Sequence, residues 1–392
     1  MYRFLYINCA LFIIYLLKNI LYPSGAISTS AVFLISLFGF ICCISECCKK
    51  NRNLILIVFA LFWLMNVISY VISPKIVYGV FFEAIGRKET LPQLVNITMF
   101  IMPFYTGYFY GKAKGVPRDM LVYFSIAILI VSVFRYIAYG EQRAIEHDIS
   151  EGYTNNVGYL FVCMVPVLPI IYTRNRIISL LMLLIVITFV IISSKRGAIL
   201  TLIAALFAFF LYFQISKKTS MSRKITIVLF TITIFLVIYY LIMSNDFLQV
   251  RFERQKQLGF GGREIAYSIL WNHWITDNNP YTFLFGNGMM QSITVWGNYA
   301  HNDWLELLID NGLIGGLLYA ILFLSFFVYI FKCKTEFMLK ASMILSVSMW
   351  FLISFFSMGY TSVIKSLLPL FLGILIGNSD RFAIIRYKVR SR

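Results

Sequence analysis

Residues 225–243, ITIVLFTITIFLVIYYLIM, form an apolar run that contains no charged side chain. A helix needs about 20 such residues to cross a hydrocarbon core about 30 Å thick. Similar runs recur along the chain and give twelve predicted spans, at residues 4–21, 26–44, 54–72, 91–110, 121–139, 157–172, 177–192, 197–215, 225–243, 313–331, 341–356 and 363–376. We therefore predict an all-α polytopic membrane protein with about twelve transmembrane helices, in which residues 1–392 form a single transmembrane domain.

The composition of the chain excludes a water-soluble enzyme. Of its 392 residues, 60% are hydrophobic and 13% are charged, whereas soluble domains carry about 25% charged residues. A net charge of +17 could indicate a nucleic-acid partner. With the amino terminus inside, however, the whole excess falls in the segments predicted to face the cytoplasm, which is the positive-inside pattern of membrane proteins. We expect both termini in the cytoplasm and no nucleic-acid partner.

The seven cysteines lie within spans or at the predicted inner face, so no disulfide is expected outside the membrane. Two adjacent pairs, Cys42-Cys43 and Cys47-Cys48, flank residues 44–46. Adjacent cysteines are not the usual zinc spacing, and no histidine is near them in the sequence. We predict neither a bound metal nor a cofactor.

Charged side chains are scarce within the predicted spans, where Lys18 and Arg135 lie near the ends and can reach the interface. Ion-coupled transporters normally bury carboxylates or histidines along their path. A flippase or exporter of lipid-linked oligosaccharide is also compatible with twelve spans, but it predicts such charges together with short outer loops. The pattern argues against both classes, and the flippase is retained as the more remote alternative.

The longest interval between spans is a predicted outer loop at residues 244–311, between spans nine and ten. Loops of more than about 15 residues tend to be functional. The loop contains His273 and His301, and residues 263–275 are predicted to form an amphipathic helix. It also carries a local group of basic residues, at Arg251, Arg254, Lys256 and Arg263. The chemistry is therefore expected on the outer face.

A second basic site lies in the short outer turn between spans seven and eight, at Lys195 and Arg196. Two positive charges on the outer side of a tight hairpin depart from the positive-inside pattern. A phosphate-bearing ligand is a suitable partner, because guanidinium groups bind phosphate oxygens in a bidentate way and stay charged at physiological pH. This turn is therefore a candidate phosphate site.

Several short motifs occur in a fixed order around these residues: SKRGA at 194–198, GR at 262–263, NP at 279–280, LFGNG at 284–288, HND at 301–303, Glu306, and NG at 311–312. Together with the long loop between spans nine and ten, the ordered set resembles the O-antigen ligase and Wzy-type polymerase superfamily. The resemblance covers roughly residues 155–331, and the preceding spans match it only in number and hydropathy.

The resemblance implies a GT-C-like membrane fold and a metal-independent, inverting glycosyltransferase. Enzymes of this family act on polyprenyl-pyrophosphate-linked glycans at the outer face of the bacterial inner membrane. Carried over by motif, Arg196 and Arg263 would bind the donor pyrophosphate, and His301 would activate or orient the acceptor hydroxyl. Arginines held outside bulk water can stabilise the charge of a leaving pyrophosphate without a metal ion, and a neutral histidine can accept a proton.

Further residues near Arg196, Arg263 and His301 are assigned supporting roles. Glu306 is a rival for the role of base, and either Glu306 or Asp303 could orient the histidine. The expected substrate-binding residues are Lys195, Arg251, Arg254, Asn302 and Asp303. His273 lies among apolar residues and is expected to be an interfacial side chain.

We predict a Wzy-type polymerase that transfers a growing glycan from undecaprenyl pyrophosphate onto a new lipid-linked repeat unit. The expected partners are the lipid-linked donor and acceptor and, as a further candidate, a chain-length regulator. The close alternative is the ligase that transfers finished O-antigen to lipid A-core. Both activities need the same pyrophosphate site, so the shared motifs leave them open.

Overall fold

The structure is a computed structural model, which describes residues 3–18, 25–49, 53–73, 90–146, 156–215, 220–246, 248–250, 253 and 263–390. Regular secondary structure in these ranges is helical. The helices, in chain order, are α1 Arg3–Leu16, α2 Ala26–Cys47, α3 Leu54–Ile72, α4 Leu91–Lys114, α5 Arg118–Glu146, α6 Gly158–Val162, α7 Leu168–Arg174, α8 Arg176–Ile192, α9 Arg196–Ile215, α10 Met221–Met243, α11 Arg263–Ile275, α12 Pro280–Phe285, α13 Gln291–Trp296, α14 Asp303–Lys332, α15 Phe337–Phe356 and α16 Leu367–Arg390.

The helices confirm the all-α polytopic class. Within the described residues, eight of them are long and apolar enough to cross a membrane, and three shorter apolar helices coincide with further predicted spans. The remaining predicted span, 91–110, falls on α4, a helix of 24 residues. Each of the twelve predicted spans therefore coincides with helical structure.

Two predicted spans differ from the structure in detail. Span 157–172 is divided into α6, a 3-10 turn at Val165–Val167, and α7. Pro166 and Pro169 lie at this break, and proline lacks the N–H that a continuous helix would use. Predicted span 363–376 begins later than expected, because Val363–Lys365 forms a 3-10 turn and α16 begins at Leu367. Lys365 therefore lies before the membrane-spanning helix and not within it.

The closest helix pair is α4 with α16, which pack backbone against backbone. Two small-residue pairs face each other, Gly107 and Gly111 on α4 and Gly373 and Gly377 on α16. A Cβ atom at Gly373 would lie 2.1 Å from the carbonyl oxygen of Phe104. Glycines spaced by four let helix backbones approach closely in membranes, where dispersion contacts drive association. The four glycines therefore allow direct backbone contact between α4 and α16.

Two hydrogen bonds mark the two ends of the helical bundle. At one end, Ser69 Oγ donates a hydrogen bond to the carbonyl oxygen of Asp310 (2.8 Å). At the opposite end, Tyr108 donates to the carboxylate of Asp380 (2.7 Å). We call these the outer end and the inner end, after the sides that the sequence predicts for them.

The loop helices α11, α12 and α13 lie at the outer end. Gly312 has a left-handed φ of 66° and breaks α14 into an outer segment, 303–311, and a longer apolar segment, 313–332. At this break the chain meets Gly286, since a Cβ on Gly312 would lie 2.5 Å from the Gly286 nitrogen and 2.4 Å from the Leu284 carbonyl oxygen. Only glycine fits this backbone contact. The LFGNG and NG motifs thus dock the loop on α14.

Candidate functional site

The SKRGA motif forms a tight turn at the outer end, between α8 and α9. Ser194 adopts a left-handed φ of 52°, and the Lys195 carbonyl accepts hydrogen bonds from the nitrogens of Ala198 (2.9 Å) and Ile199 (3.1 Å). Lys195 and Arg196 are half-buried. The turn therefore presents two cations at the first residues of α9.

The glycine of this motif is required by a neighbouring aromatic ring. A Cβ atom at Gly197 would lie 2.2 Å from the hydroxyl oxygen of Tyr159. Tyr159 is buried, and it also contacts Lys365, described below. The turn that carries Lys195 and Arg196 is therefore fixed against α6.

Arg263 is the first residue of α11, the helix predicted at 263–275. Its Nη1 donates a hydrogen bond to the carbonyl oxygen of Phe356 (3.2 Å), the last residue of α15. One turn further along α11, the Tyr267 hydroxyl donates to the carbonyl oxygen of Phe355 (3.4 Å). The charges of Arg196 and Arg263 interact with each other. The two arginines predicted to bind pyrophosphate therefore meet at one site, although 66 residues separate them in the sequence.

His301 lies directly before α14 in a left-handed conformation, with φ of 56°. Its neighbour Asn302 is the N-cap of the helix, and Asn302 Oδ1 accepts hydrogen bonds from the nitrogens of Trp304 (3.0 Å) and Leu305 (3.2 Å). A cap of this kind satisfies backbone donors that a helix start leaves open. Asn302 is buried, so its observed contacts are structural.

Burial and nearby positive charges lower the pKa of His301 to about 4. Burial is the larger cause, and the charges of Arg263, Lys195 and Lys365 act in the same direction. The imidazole is therefore neutral near pH 7 and able to accept a proton. The same result shows that the histidine lies within the field of cations from three separate parts of the chain.

Lys365 is a functional candidate that the sequence reasoning missed. It is 3% exposed, and its Nζ donates hydrogen bonds to Ser357 Oγ (3.0 Å) and to the carbonyl oxygen of Met358. The ammonium also lies 4.1 Å from the centre of the Tyr159 ring, in a cation–π contact. Burial lowers the pKa of Lys365, while the charge of Asp303 opposes this shift. The signal available in the sequence was this single lysine at the start of the predicted span 363–376. A charged residue in such a span is a functional candidate.

We call Lys195, Arg196, Arg263 and Lys365, with His301 among them, the cationic cluster. Arg251 and Arg254, which were predicted to bind substrate, lie outside the described residues. His273 is exposed on α11 and acts electrostatically on Asp277, so it is not part of the cluster. In the ranges that the structure describes, no group of three or more His, Cys, Asp or Glu side chains is arranged to hold a metal ion.

Asp303 is fully buried and connects the start of α14 to the segment after α15. Its carboxylate accepts hydrogen bonds from the Tyr319 hydroxyl (2.8 Å), the Gly359 nitrogen (2.8 Å) and the Tyr360 nitrogen (3.4 Å). Since the same segment supplies two acceptors to Lys365, Asp303 positions part of the cationic cluster.

Glu306 is buried one helical turn after His301. Its Oε1 accepts a hydrogen bond from the backbone nitrogen of His301 (3.2 Å), and the backbone of Ala300 donates to the same carboxylate. These contacts hold the left-handed turn that carries His301. The geometry therefore indicates that Glu306 positions the histidine through its main chain.

Asp310 is a third structural carboxylate, and the sequence reasoning did not identify it. It accepts hydrogen bonds from the nitrogens of Met290 (2.9 Å) and Ser292 (2.7 Å) at the start of α13. Met290 has a left-handed φ of 66°, and Asp310 stabilises this turn. The outer segment of α14 thus uses all three of its acidic residues to hold neighbouring backbone.

One protein-family model matches part of the chain. Residues 180–320 match the family model Wzy_C, described as O-antigen ligase. The match supports the O-antigen ligase/polymerase superfamily and confirms the resemblance stated from the motifs. It includes Lys195, Arg196, Arg263 and His301, whereas Lys365 lies beyond it. No curated protein sequence matches the chain.

Proposed function

We propose, from the match of residues 180–320 to the O-antigen ligase/polymerase superfamily, that this chain is a Wzy-type polymerase. It transfers a growing glycan from undecaprenyl pyrophosphate to a hydroxyl of a new lipid-linked repeat unit, without a metal ion and with inversion at the anomeric carbon. The site faces the periplasm of the bacterial inner membrane, and both termini lie in the cytoplasm. A chain-length regulator is a candidate partner.

The observation that carries this proposal is the cationic cluster around a neutral histidine. Pyrophosphate is an anion, and its negative charge increases as the bond to the sugar breaks. Arg196 and Arg263 are the first residues of two different helices, and the Arg263 guanidinium is also held by the Phe356 carbonyl oxygen, so both cations are carried by ordered parts of the fold before the reaction. Preorganised cations outside bulk water stabilise a developing negative charge more strongly than mobile ones. Lys195 and Lys365 add to the same field.

In the proposed reaction, the acceptor hydroxyl oxygen bonds to the anomeric carbon of the donor sugar while the bond from that carbon to the pyrophosphate oxygen breaks. His301 takes the hydroxyl proton, and undecaprenyl pyrophosphate leaves with the bonding electron pair. A single displacement of this kind inverts the anomeric centre and needs no carboxylate nucleophile.

Donor binding would also make His301 a better base. The cations that lower the pKa of His301 in the free protein would be neutralised in part by a bound pyrophosphate. The pKa of His301 would then rise toward its ordinary value, and a base is most effective when its pKa lies near the working pH. His301 would thus become competent when the donor is present.

The remaining predicted site residues support this arrangement. Asn302, Asp303 and Glu306 position the histidine and the lysine through the contacts described above. Glu306 is also the second candidate for the base, because it lies one helical turn from His301. Arg251 and Arg254 would line the path of the anionic lipid or glycan.

The ligase remains the second candidate function, since O-antigen ligase is the description of the matching family model. The two activities share the donor and differ in the acceptor. The flippase is disfavoured, because it does not explain why a histidine and two arginines from distant segments meet at the outer end.

The two activities can be separated in cells. We would compare lipopolysaccharide from a deletion strain with that of strains complemented by the native gene, by His301→Ala, and by His273→Ala as a matched control. For a polymerase, the deletion and His301→Ala strains show lipid A-core with a single repeat unit, whereas His273→Ala restores the ladder. Bare core, with long polymer accumulating on undecaprenyl pyrophosphate, would identify the ligase instead.

A further inference from the structure

A cavity of about 320 Å³ opens at the inner end of the bundle, far from the cationic cluster. It lies where the connection between α4 and α5 meets α7, α15 and α16. The backbone nitrogen of Val116 donates a hydrogen bond to Asn378 Oδ1 on α16 (2.9 Å), which holds the connection in place. We call this space the inner cavity.

Three cations line the inner cavity, Lys114, Arg118 and Arg381, together with one acidic side chain, Glu336. Arg118 forms an ion pair with Glu336, and both side chains are 46% exposed. The lining therefore carries three positive charges and one negative charge, and its formal net charge is positive. A cavity of this charge favours an anionic ligand.

Arg381 is held in the wall with part of its guanidinium unsatisfied. Its Nη1 is inaccessible to solvent and has no hydrogen-bond partner among the described residues. The side chain packs over Gly115, where a Cβ atom would lie 3.5 Å from Arg381 Cδ. A buried donor without a partner is destabilising, and more so when it is charged. Arg381 also lines the cavity, so a change of its rotamer would bring this donor to a phosphate oxygen there, in the geometry that guanidinium groups prefer.

Apart from Thr173 and Asn378, the other side chains of the lining are apolar, and most of them lie along the helices. Leu121 on α5 and Leu339 on α15 are buried in the wall, and Phe382 on α16 is 40% exposed. A charged head beside apolar helix surfaces matches a phospholipid, whose phosphate lies at the membrane surface and whose acyl chains continue into the bilayer. Basic pockets between transmembrane helices at the cytoplasmic side bind anionic lipid head groups.

We propose that the inner cavity binds the phosphate group of an anionic phospholipid from the membrane leaflet at that end. Arg381 and Lys114 contact the phosphate, and Leu121, Leu339 and Phe382 contact the upper part of the acyl chains. The site is separate from the transfer reaction, and it does not depend on the proposed function.

The test uses the purified full-length chain in detergent, with phosphatidylglycerol, phosphatidylcholine of the same acyl chains, and inorganic phosphate as three separate additions. Native mass spectrometry measures bound lipid, and thermal unfolding measures stabilisation. The wild type is expected to retain phosphatidylglycerol over phosphatidylcholine. Arg381→Gln is expected to lower the affinity for phosphatidylglycerol at least tenfold, and Lys114→Gln, which leaves the buried guanidinium in place, to lower it less.

The matched control is Lys332→Gln, because Lys332 is exposed near the same end and does not line the cavity. It should bind phosphatidylglycerol as the wild type does. If inorganic phosphate stabilises the wild type but not Arg381→Gln, and phosphatidylglycerol does not bind, the phosphate site is supported and its ligand is a free anion instead of a lipid. The proposal is wrong if Arg381→Gln retains phosphatidylglycerol as strongly as Lys332→Gln, or if the wild type binds neither the lipid nor phosphate.

Discussion

The backbone nitrogen of His301 donates a hydrogen bond of 3.2 Å to the side chain of Glu306. The contact links the residue before the N-cap of α14 to the first turn of that helix, and it stabilises a left-handed backbone that residues other than glycine rarely adopt. It places the imidazole in the field of the cationic cluster. From the sequence, His301 and Glu306 could both act on the substrate. In the structure, Glu306 also fixes the backbone of His301.

Substitutions at Glu306 separate positioning from base catalysis. In Glu306→Gln, the amide oxygen can still accept the hydrogen bond from His301, so we expect transfer within a few-fold of the wild type. In Glu306→Ala the acceptor is lost, which costs about 1–3 kcal/mol and should lower the transfer rate tenfold or more. The measurement is the transfer rate of purified variants with a lipid-linked repeat unit. If Glu306→Gln is as inactive as Glu306→Ala, Glu306 is the base.

The pH dependence of transfer should differ between the free and the donor-bound protein. A histidine base is active when neutral, so activity is present above its pKa and is lost as the pH falls through it. With the pKa of His301 lowered to about 4 in the free protein, kcat/KM should stay nearly constant as the pH falls from 7 toward that value. The pH profile of kcat reports the donor-bound state, in which the pKa of His301 is expected to be higher. The fall of kcat toward acid should therefore occur at higher pH than the fall of kcat/KM. Coincident limbs near pH 6.5, the ordinary value for histidine, would contradict this account.

Removal of the Lys365 charge should change the acid limb in a defined direction. Lys365 is one of the cations that lower the pKa of His301, so Lys365→Met should move the acid limb of kcat/KM to higher pH. It should also slow transfer about tenfold at neutral pH, because one of the charges that stabilise the leaving pyrophosphate is lost; tenfold corresponds to about 1.4 kcal/mol of transition-state stabilisation. Lys365→Arg keeps the charge and is the control for the position of the limb. An unchanged limb in Lys365→Met would place Lys365 outside the site.

The contact between Gly286 and Gly312 should be essential for stability. Alanine at position 312 would combine a left-handed φ of 66° with a Cβ atom 2.4 Å from the Leu284 carbonyl oxygen. We expect Gly312→Ala to destabilise the protein by more than 1 kcal/mol, seen as a lower unfolding temperature in detergent. Gly25→Ala is the matched control, because nothing lies within 4 Å of its Cβ position, and it should unfold as the wild type does. Equal unfolding temperatures for both variants would exclude the proposed packing role.

The transmembrane helices could be predicted from the sequence because the bilayer imposes one simple requirement, a run of about 20 apolar residues. The break between α6 and α7 was missed because hydropathy does not register the lost N–H groups of Pro166 and Pro169. The packing of α4 against α16 was missed for a different reason. Glycines at 107, 111, 373 and 377 are unremarkable until the two helices are known to be neighbours.

The candidate site was only partly visible in the sequence. Arg196, Arg263 and His301 could be identified from ordered motifs, and the structure brings them together. Lys365 could not, because it lies 64 residues beyond His301, and only the folding of the segment after α15 brings it to the cluster. From its motif, Asp303 was expected to bind substrate or to orient the histidine. In the structure its hydrogen-bond partners are the Tyr319 hydroxyl and backbone of the segment after α15.

In the proposed reaction, the arginines bind the donor pyrophosphate and His301 acts on the acceptor. The most direct measurement determines the Kd for undecaprenyl pyrophosphate and the single-turnover transfer rate of the same purified variants. We predict that Arg263→Gln weakens donor binding at least tenfold, and that His301→Gln keeps wild-type donor affinity while its transfer rate falls at least a hundredfold. Wild-type donor affinity in Arg263→Gln, or wild-type transfer in His301→Gln, would contradict the account.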